Sequence, residues 1–392
     1  MSTSTFKPYD VPNNIIMIDP KSSTVLPVSH MRRAHESAFT TPQRSPAQSP
    51  FSTGPTIPQA QPDSVTQTSS KPAAPYSHRR KPTMQAPFVG HHQDFLTIVG
   101  EDSRIRVIAQ DPEGRSIFHE AGVWIPSTQQ IFITSNRLDA KVFRDPRSGL
   151  VKGLVDMHLL RITKDGEIEY TPVSPTFALP AANGACLYKD HVLVCDQGYG
   201  ELQSSQLSII NSSDPSSVTP MLNNFYGRAF NSLNDVITLT DPRPDAKSTF
   251  YILFTDPQYG FEQEFKPSPC LPAQVYCFDP VTGETRVIAD GFTSPNGIAV
   301  NAARTKCYVT DTGMIHGSGK MDPSRPGHIY VYDIVFPDDI AGGPSLVNRS
   351  VFAMADCGAP DGIKLDTKGN VYAGCFDGVH IWNPHGTLLG KM

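Results

Sequence analysis

A recurring unit constrains this chain more than any other feature. Five times over, a polar residue precedes a short apolar run, a turn and a second apolar run. The first halves are His119-Glu120-Ala121-Gly122-Val123-Trp124, Ala182-Asn183-Gly184-Ala185-Cys186-Leu187, Leu233-Asn234-Asp235-Val236-Ile237, Pro295-Asn296-Gly297-Ile298-Ala299-Val300 and Pro360-Asp361-Gly362-Ile363-Lys364-Leu365. The second halves are Gln130–Thr134, His191–Cys195, Thr249–Phe254, Lys306–Thr310 and Asn370–Gly374. The leading polar residues recur at intervals of about 50 to 65 residues. That length holds about four short strands, and a repeat of this size marks a propeller blade. Radial repetition lets each sheet hide its faces against its neighbours and leaves few edges open. Asn-Gly, Asn-Asp and Asp-Gly are also favoured hairpin turns. In the fifth copy, however, Asp366-Thr367-Lys368-Gly369 lies between the two apolar runs and makes the better loop, so Asp361 opens the preceding strand.

The remainder of the chain follows from composition. With 392 residues, 39 % of them hydrophobic, the protein can bury one large core, and residues 91–392 read as a single all-β domain without a long 3.6-period segment. Phe95–Val99 and Arg104–Ile108 read as strands ahead of Glu120. Residues 35–90 are dense in Pro, Ser, Thr and Gln and read as a disordered linker. Residues 1–34 form a segment of unassigned role, in which Val11–Asp19 reads as a short strand or docking segment. A net charge of −5, with one short basic stretch at His78-Arg79-Arg80-Lys81, argues against a nucleic-acid partner or an anionic membrane surface. No run reaches signal-peptide or membrane-span length, so a cytoplasmic location is expected. Most of the seven cysteines sit in apolar strand-like runs, as buried reduced thiols do. Cys270 and Cys277 are the one pair suited to a disulfide.

The leading positions gather Glu120, Asn183, Asn234, Asn296 and Asp361, hard oxygen donors from distant segments. Carboxylate and amide oxygens suit Ca²⁺ or Mg²⁺, and no His or Cys stands at these positions as a softer metal would prefer. Two carboxylates balance a dication and the amides fill its shell without adding charge. The plainer reading is that these residues cap strand ends. Strict alternation turns His119 away from its neighbour Glu120. His316, in a Gly-rich segment, is either a substrate contact over the channel mouth or a solvated loop histidine. Trp124 and Trp382 read as core.

Longer strings carry a resemblance. Tyr226–Val236 (Tyr-Gly-Arg-Ala-Phe-Asn-Ser-Leu-Asn-Asp-Val), Phe254–Gly260, Phe292–Gly297 with Tyr308–Gly313, and Pro360–Gly362 with Tyr372–Pro384 resemble the SMP-30/gluconolactonase/LRE-like family, above all its fungal lactonohydrolase branch, over about residues 95–392. The resemblance implies a six-bladed β-propeller holding one divalent metal, with Ca²⁺ expected and Mg²⁺, Mn²⁺ or Zn²⁺ as alternatives. It implies a lactonase whose partner is a small molecule, an aldonolactone or related hydroxy-acid lactone. Glu120, Asn296 and Asp361 match the family's metal ligands. Asn234 matches a further asparagine that completes the shell or touches substrate, and Asn183 falls at a channel position suited to substrate contact or strand capping. Lactone opening then follows from a polarised carbonyl and water attack assisted by a carboxylate, Asp361 first and Glu120 second. The chain departs from the pattern in offering five motifs for six blades, with about thirty residues after Asp361. The last blade therefore reads as incomplete. A truncated product, closure by another chain or by the N-terminal segment, and a non-catalytic metal- or small-molecule-binding propeller are the competing explanations.

Overall fold

The computed structural model describes residues 15–17 and 87–392, apart from 101, 106, 112, 145–150, 165, 167, 174–178, 202, 247–249 and 339–341. Two short N-terminal strands come first, β1 (Ile15–Met17) and β2 (Phe88–Gly90). Sheets of consecutive antiparallel strands follow. The first blade is β3 (Glu120–Ile125), β4 (Gln130–Arg144), β5 (Val151–Ile162) and β6 (Ile168–Val173); the second is β7 (Ala182–Tyr188), β8 (His191–Asp196), β9 (Gln206–Ile210) and β10 (Val218–Leu222). After a small hairpin, β11 (Asn224–Phe225) and β12 (Arg228–Ala229), the third blade is β13 (Val236–Thr240), β14 (Phe250–Asp256), β15 (Gln274–Phe278) and β16 (Thr285–Ala289). The fourth is β17 (Pro295–Val300), β18 (Lys306–Asp311), β19 (His328–Val335) and β20 (Ser345–Met354), and the fifth is β21 (Ile363–Leu365), β22 (Val371–Cys375), β23 (Gly378–Trp382) and β24 (Leu388–Lys391). First strands of successive blades touch: β3 with β7, β7 with β13, β13 with β17, and β17 with β21. The sheets thus stand around an axis with their first strands innermost, the arrangement of a propeller. Among the described residues the blades number five, where six were expected.

Alternation along each strand builds the core between blades rather than within them. Val123, Ile125 and Phe132 of the first blade meet Ala185, Val192 and Val194 of the second. Leu193 and Cys195 meet Val236, Ile252 and Phe254, and equivalent clusters join the third blade to the fourth and the fourth to the fifth. The expected disulfide is absent. Cys277 is buried in the seam between blades three and four, whereas Cys270 is exposed on a loop with its Sγ 3.3 Å from the Ala229 carbonyl oxygen.

The two end blades solve the missing neighbour differently. The outer face of the fifth blade, carrying Tyr372, Ile381 and Leu389, is covered by Phe88 and by the helix α1 (Asp94–Val99), which presents Phe95, Leu96, Ile98 and Val99. The expectation of a strand at Phe95–Val99 fails because its apolar residues also fit one face of a short helix, an ambiguity inherent in short apolar runs. Gly390 makes the helix fit, since a Cβ there would lie 2.4 Å from the Phe95 ring. The described residues of Arg104–Ile108 form no strand either, and Ile105, Val107 and Ile108 are exposed. The corresponding face of the first blade leaves Trp124, expected in the core, 46 % exposed beside Ile162 and Tyr170, while Trp382 is buried as expected. Among the described residues the N-terminal strands build no sixth blade: β2 pairs antiparallel with β24, and β1 pairs parallel with β2. The rest of the proposed linker, residues 35–86, lies outside the described residues. Among the described residues no helix is long and apolar enough to cross a membrane.

Candidate active site

The five leading residues of the repeat stand at equivalent places, each at or just before the channel end of an innermost strand. In three blades the pairing slips by one residue there, between Glu120 and Val123, Ala182 and Ala185, and Pro295 and Ile298. Such bulges bend a strand and re-aim its side chains. The glycine after the asparagine has a separate reason. A Cβ on Gly184 would lie 2.5 Å from the Asn234 carbonyl oxygen, and one on Gly297 would lie 2.6 Å from that of Asp361. The Asn-Gly pairs are therefore places where the next blade's backbone approaches, not hairpin turns. Threonines tie the approach: Thr134 Oγ1 donates to the Asn183 carbonyl (3.2 Å), Thr255 to Asn296 (2.7 Å) and Thr310 to Asp361 (2.7 Å). The next residue along, Asp256 in blade three and Asp311 in blade four, caps two backbone N–H groups of the loop entering its own blade.

These devices bring all six predicted site residues to one cavity of about 230 Å³, lined by Glu120, Asn183, Asn234, Asn296, Asp361 and His316. A second space of about 240 Å³, lined by residues such as Ala121, Gly184, Asp235 and Lys364, shares Glu120, Asn234 and Asn296 with it. Asn234 and Asn296 are buried. Glu120 and Asp361 open to the channel but are ringed by protein on their other sides. Burial pushes the Glu120 carboxyl up to about 8, helped by the charges of Asp361 and Asp235 and opposed by Lys364. Asp361 is raised for the same first reason, against the pull of His119 and an Asn296 hydrogen bond. The Asn183 Oδ1 is buried without a hydrogen-bond partner, and Asn296 Nδ2 donates to the Tyr259 hydroxyl (3.2 Å). His119 does not point away: it lies one residue ahead of β3, where strand alternation is not imposed, and it lines the cavity with its Nε2 3.8 Å from Glu120.

The family model for the SMP-30/gluconolactonase/LRE-like region matches residues 155–392. The chain belongs to this family. Among its relatives, lactonohydrolase oryL of Aspergillus oryzae is 26 % identical over 294 residues, 70 % of this chain and 60 % of that protein. The gluconolactonase of Zymomonas mobilis is 26 % identical over 313 residues, 75 % of this chain and 74 % of that one. The chain thus spans only 60 % of the Aspergillus relative's length. A gluconolactonase structure from Xanthomonas campestris superimposes with a TM-score of 0.56 at 20 % identity, covering 78 % of this chain and 84 % of that one, a likeness of fold. The family match begins within β5, the third strand of blade one, and so does not include Glu120.

Several lining residues of this gluconolactonase-family cavity were not singled out by sequence. Asn136 lines it from within β4, and Gln197 and Thr312 line it from just beyond the second strands of blades two and four, a position the repeat could have flagged. Tyr259 and Gln263 come from α2 (Tyr259–Glu262) and the residue after it; Tyr259 stands in the quoted Phe254–Gly260 string. Glu262 ties this helix to the opposite loop by accepting from the Gly317 N–H (2.7 Å), with His316 Nε2 3.8 Å away. Elsewhere, Asp356, Asp377 and His380 form another group of metal-type ligands. The Lys391 ammonium, 2.6 Å from Asp356 and 2.9 Å from Asp377, already bridges both carboxylates and offsets one of their two charges.

Proposed function

We propose that the chain is a divalent-metal-dependent hydrolase that opens a small lactone, an aldonolactone or a related hydroxy-acid lactone. The observation that carries this reading is the meeting of two carboxylates, Glu120 and Asp361, with three asparagine amides on one cavity of a gluconolactonase-family propeller. The relatives named for opening lactones support it.

The residues fit a hard dication. Two carboxylates are driven toward their neutral forms by burial and mutual repulsion, a strain that an intervening cation removes. The buried, unpartnered Asn183 Oδ1 is the kind of oxygen such an ion or a substrate hydroxyl engages. Glu120, Asn234, Asn296 and Asp361 would hold the ion, Ca²⁺ first and Mg²⁺, Mn²⁺ or Zn²⁺ after it. Bound there, the ion supplies a Lewis acid for the ester carbonyl. The chain's own residues do the rest. Asp361 takes the proton of the attacking water, with Glu120 as the alternative base. Water oxygen bonds to the carbonyl carbon, the ring C–O bond breaks, and the released alkoxide takes the proton back from that carboxyl. Asn183, Asn234 and His316 contact the substrate. The roof formed by α2 and the loop around Gly317 limits entry of further water.

The test is acid release from aldonolactones and pantolactone by the purified full chain, with and without chelator, and with Asp361→Ala. Turnover abolished by both changes is expected. A folded, metal-binding protein that opens none of these lactones would instead be a binding scaffold.

A further inference from the structure

The cavity above the carboxylates contains a cation for which neither the fold nor the proposed chemistry accounts. Arg137, in β4, lines the same space as Glu120, Asn296 and Asp361. Its Nη2 donates to the Gln263 side-chain oxygen, and its guanidinium carbon lies 4.3 Å from the centroid of the Phe265 ring. Two other arginines meet carboxylates: Arg115 lies 2.8 Å from Asp111 and Arg243 2.7 Å from Asp241. Among the described residues, Arg137 has no such partner within 4.0 Å. Burial lowers it to about 10, and its field in turn disfavours the charged form of His119. A half-buried cation without an anion destabilises a fold unless a ligand supplies the charge. The guanidinium carries five N–H donors in a planar fork matched to a carboxylate, and a single protein acceptor engages it here.

We infer that Arg137 selects lactones bearing a free carboxylate beyond the ring ester, that is, the monolactones of dicarboxylic hydroxy acids. The inference rests on the lactonase reading and names its substrate class. The ester end lies toward Glu120 and Asp361, where anionic groups of the protein gather. The substituent carboxylate lies toward Arg137, the one uncompensated arginine among the cavity's described residues. The substituent takes no part in bond making; it holds the ring ester in register with the base.

The test compares two lactones of the same ring size, the monolactone of a six-carbon aldaric acid and the matching aldonolactone, in which a hydroxymethyl group replaces the carboxylate. Wild-type protein should favour the carboxylated lactone in kcat/KM by about tenfold or more, the scale of a charge-assisted bidentate contact. Arg137→Gln should erase that preference through KM for the carboxylated lactone, and Arg137→Lys should restore part of it. Calorimetric binding of the open-chain aldarate and aldonate to the same three proteins needs no turnover. If neither lactone is opened but aldarate still binds more tightly in an Arg137-dependent way, the selectivity stands and the hydrolase reading falls. A preference that is absent in the wild type, or unchanged in Arg137→Gln, overturns the inference. Lower thermal stability alone in the variant would then leave Arg137 as packing for Phe265.

Discussion

Lowering the pH should weaken metal binding at the channel floor, and Glu120 sets the scale. In the stripped protein its carboxyl is held up at about 8, so about one molecule in a hundred carries the ionised form at pH 6 and about half do at pH 8. A dication needs the ionised form, and apparent affinity should therefore fall by about 50-fold from pH 8 to pH 6. Asp361, raised as well, steepens the fall. The sign for stability is opposite to that of an ordinary salt-bridged acid. Because the folded value lies above the ordinary carboxyl value of about 4.5, the stripped fold holds a proton that the unfolded chain has released. Its stability then declines, by a few kcal/mol, as pH rises from about 4.5 to 8. Titration calorimetry with Ca²⁺ on chelator-treated full chain at pH 6, 7 and 8 measures the first effect, with Glu120→Gln as the comparison in which the Glu120 contribution disappears. Affinities agreeing within about threefold across that range would refute a proton-competing carboxylate at the site.

Three further outcomes test the supporting structure. Phe95→Ala removes the fully buried ring that seats α1 on blade five and should cost about 3–5 kcal/mol in urea unfolding; an unchanged midpoint would mean the helix does not cap the blade. Thr310→Val removes the hydroxyl that donates to the Asp361 carbonyl and accepts from the Gly297 N–H at 2.7 Å. It should lower stability by about 2 kcal/mol and weaken metal binding with it, and unaltered calorimetric affinity would show that Asp361 is positioned by other contacts. Gly297→Ala pushes a Cβ to 2.6 Å from the Asp361 carbonyl oxygen, and turnover should drop by about tenfold or more; wild-type rates would show that the blade spacing there is slack.

The sequence made the blades legible because the apolar runs repeat in pairs, and it made the site legible because the repeat begins each time with an oxygen donor. Glu120, Asn183, Asn234, Asn296 and Asp361 could be read together because each opens an innermost strand, and those strands meet at one axis. The blade count was harder, since whether Phe95–Val99 pairs as a strand or folds as a helix depends on what covers Tyr372, Ile381 and Leu389, which lie far away in sequence. His119 and Trp124 depart from expectation for local reasons of the same kind. His119 lies one residue ahead of β3, where strand alternation is not imposed, and the face that Trp124 occupies has no neighbouring blade among the described residues. Arg137 and Gln263 were invisible because they lie outside the repeated motifs, and only the folded chain brings them together.

The Asn-Gly pairs show how closely the site and the scaffold are joined. As dipeptides they favour turns, yet Gly184 and Gly297 here sit inside strands because the neighbouring backbone arrives where a Cβ would be. The atom that arrives is the carbonyl oxygen of the next blade's own site residue, Asn234 or Asp361, and in the latter case a threonine hydroxyl binds the same oxygen. The distance between blades and the distance between candidate ligands are therefore one quantity. Change in blade packing near the axis must move a candidate ligand, and the proposed metal site would restrain packing in turn. That coupling explains why small residues and hydroxyls, rather than large apolar ones, occupy the innermost layer, while the apolar clusters that stabilise the ring lie farther along the strands.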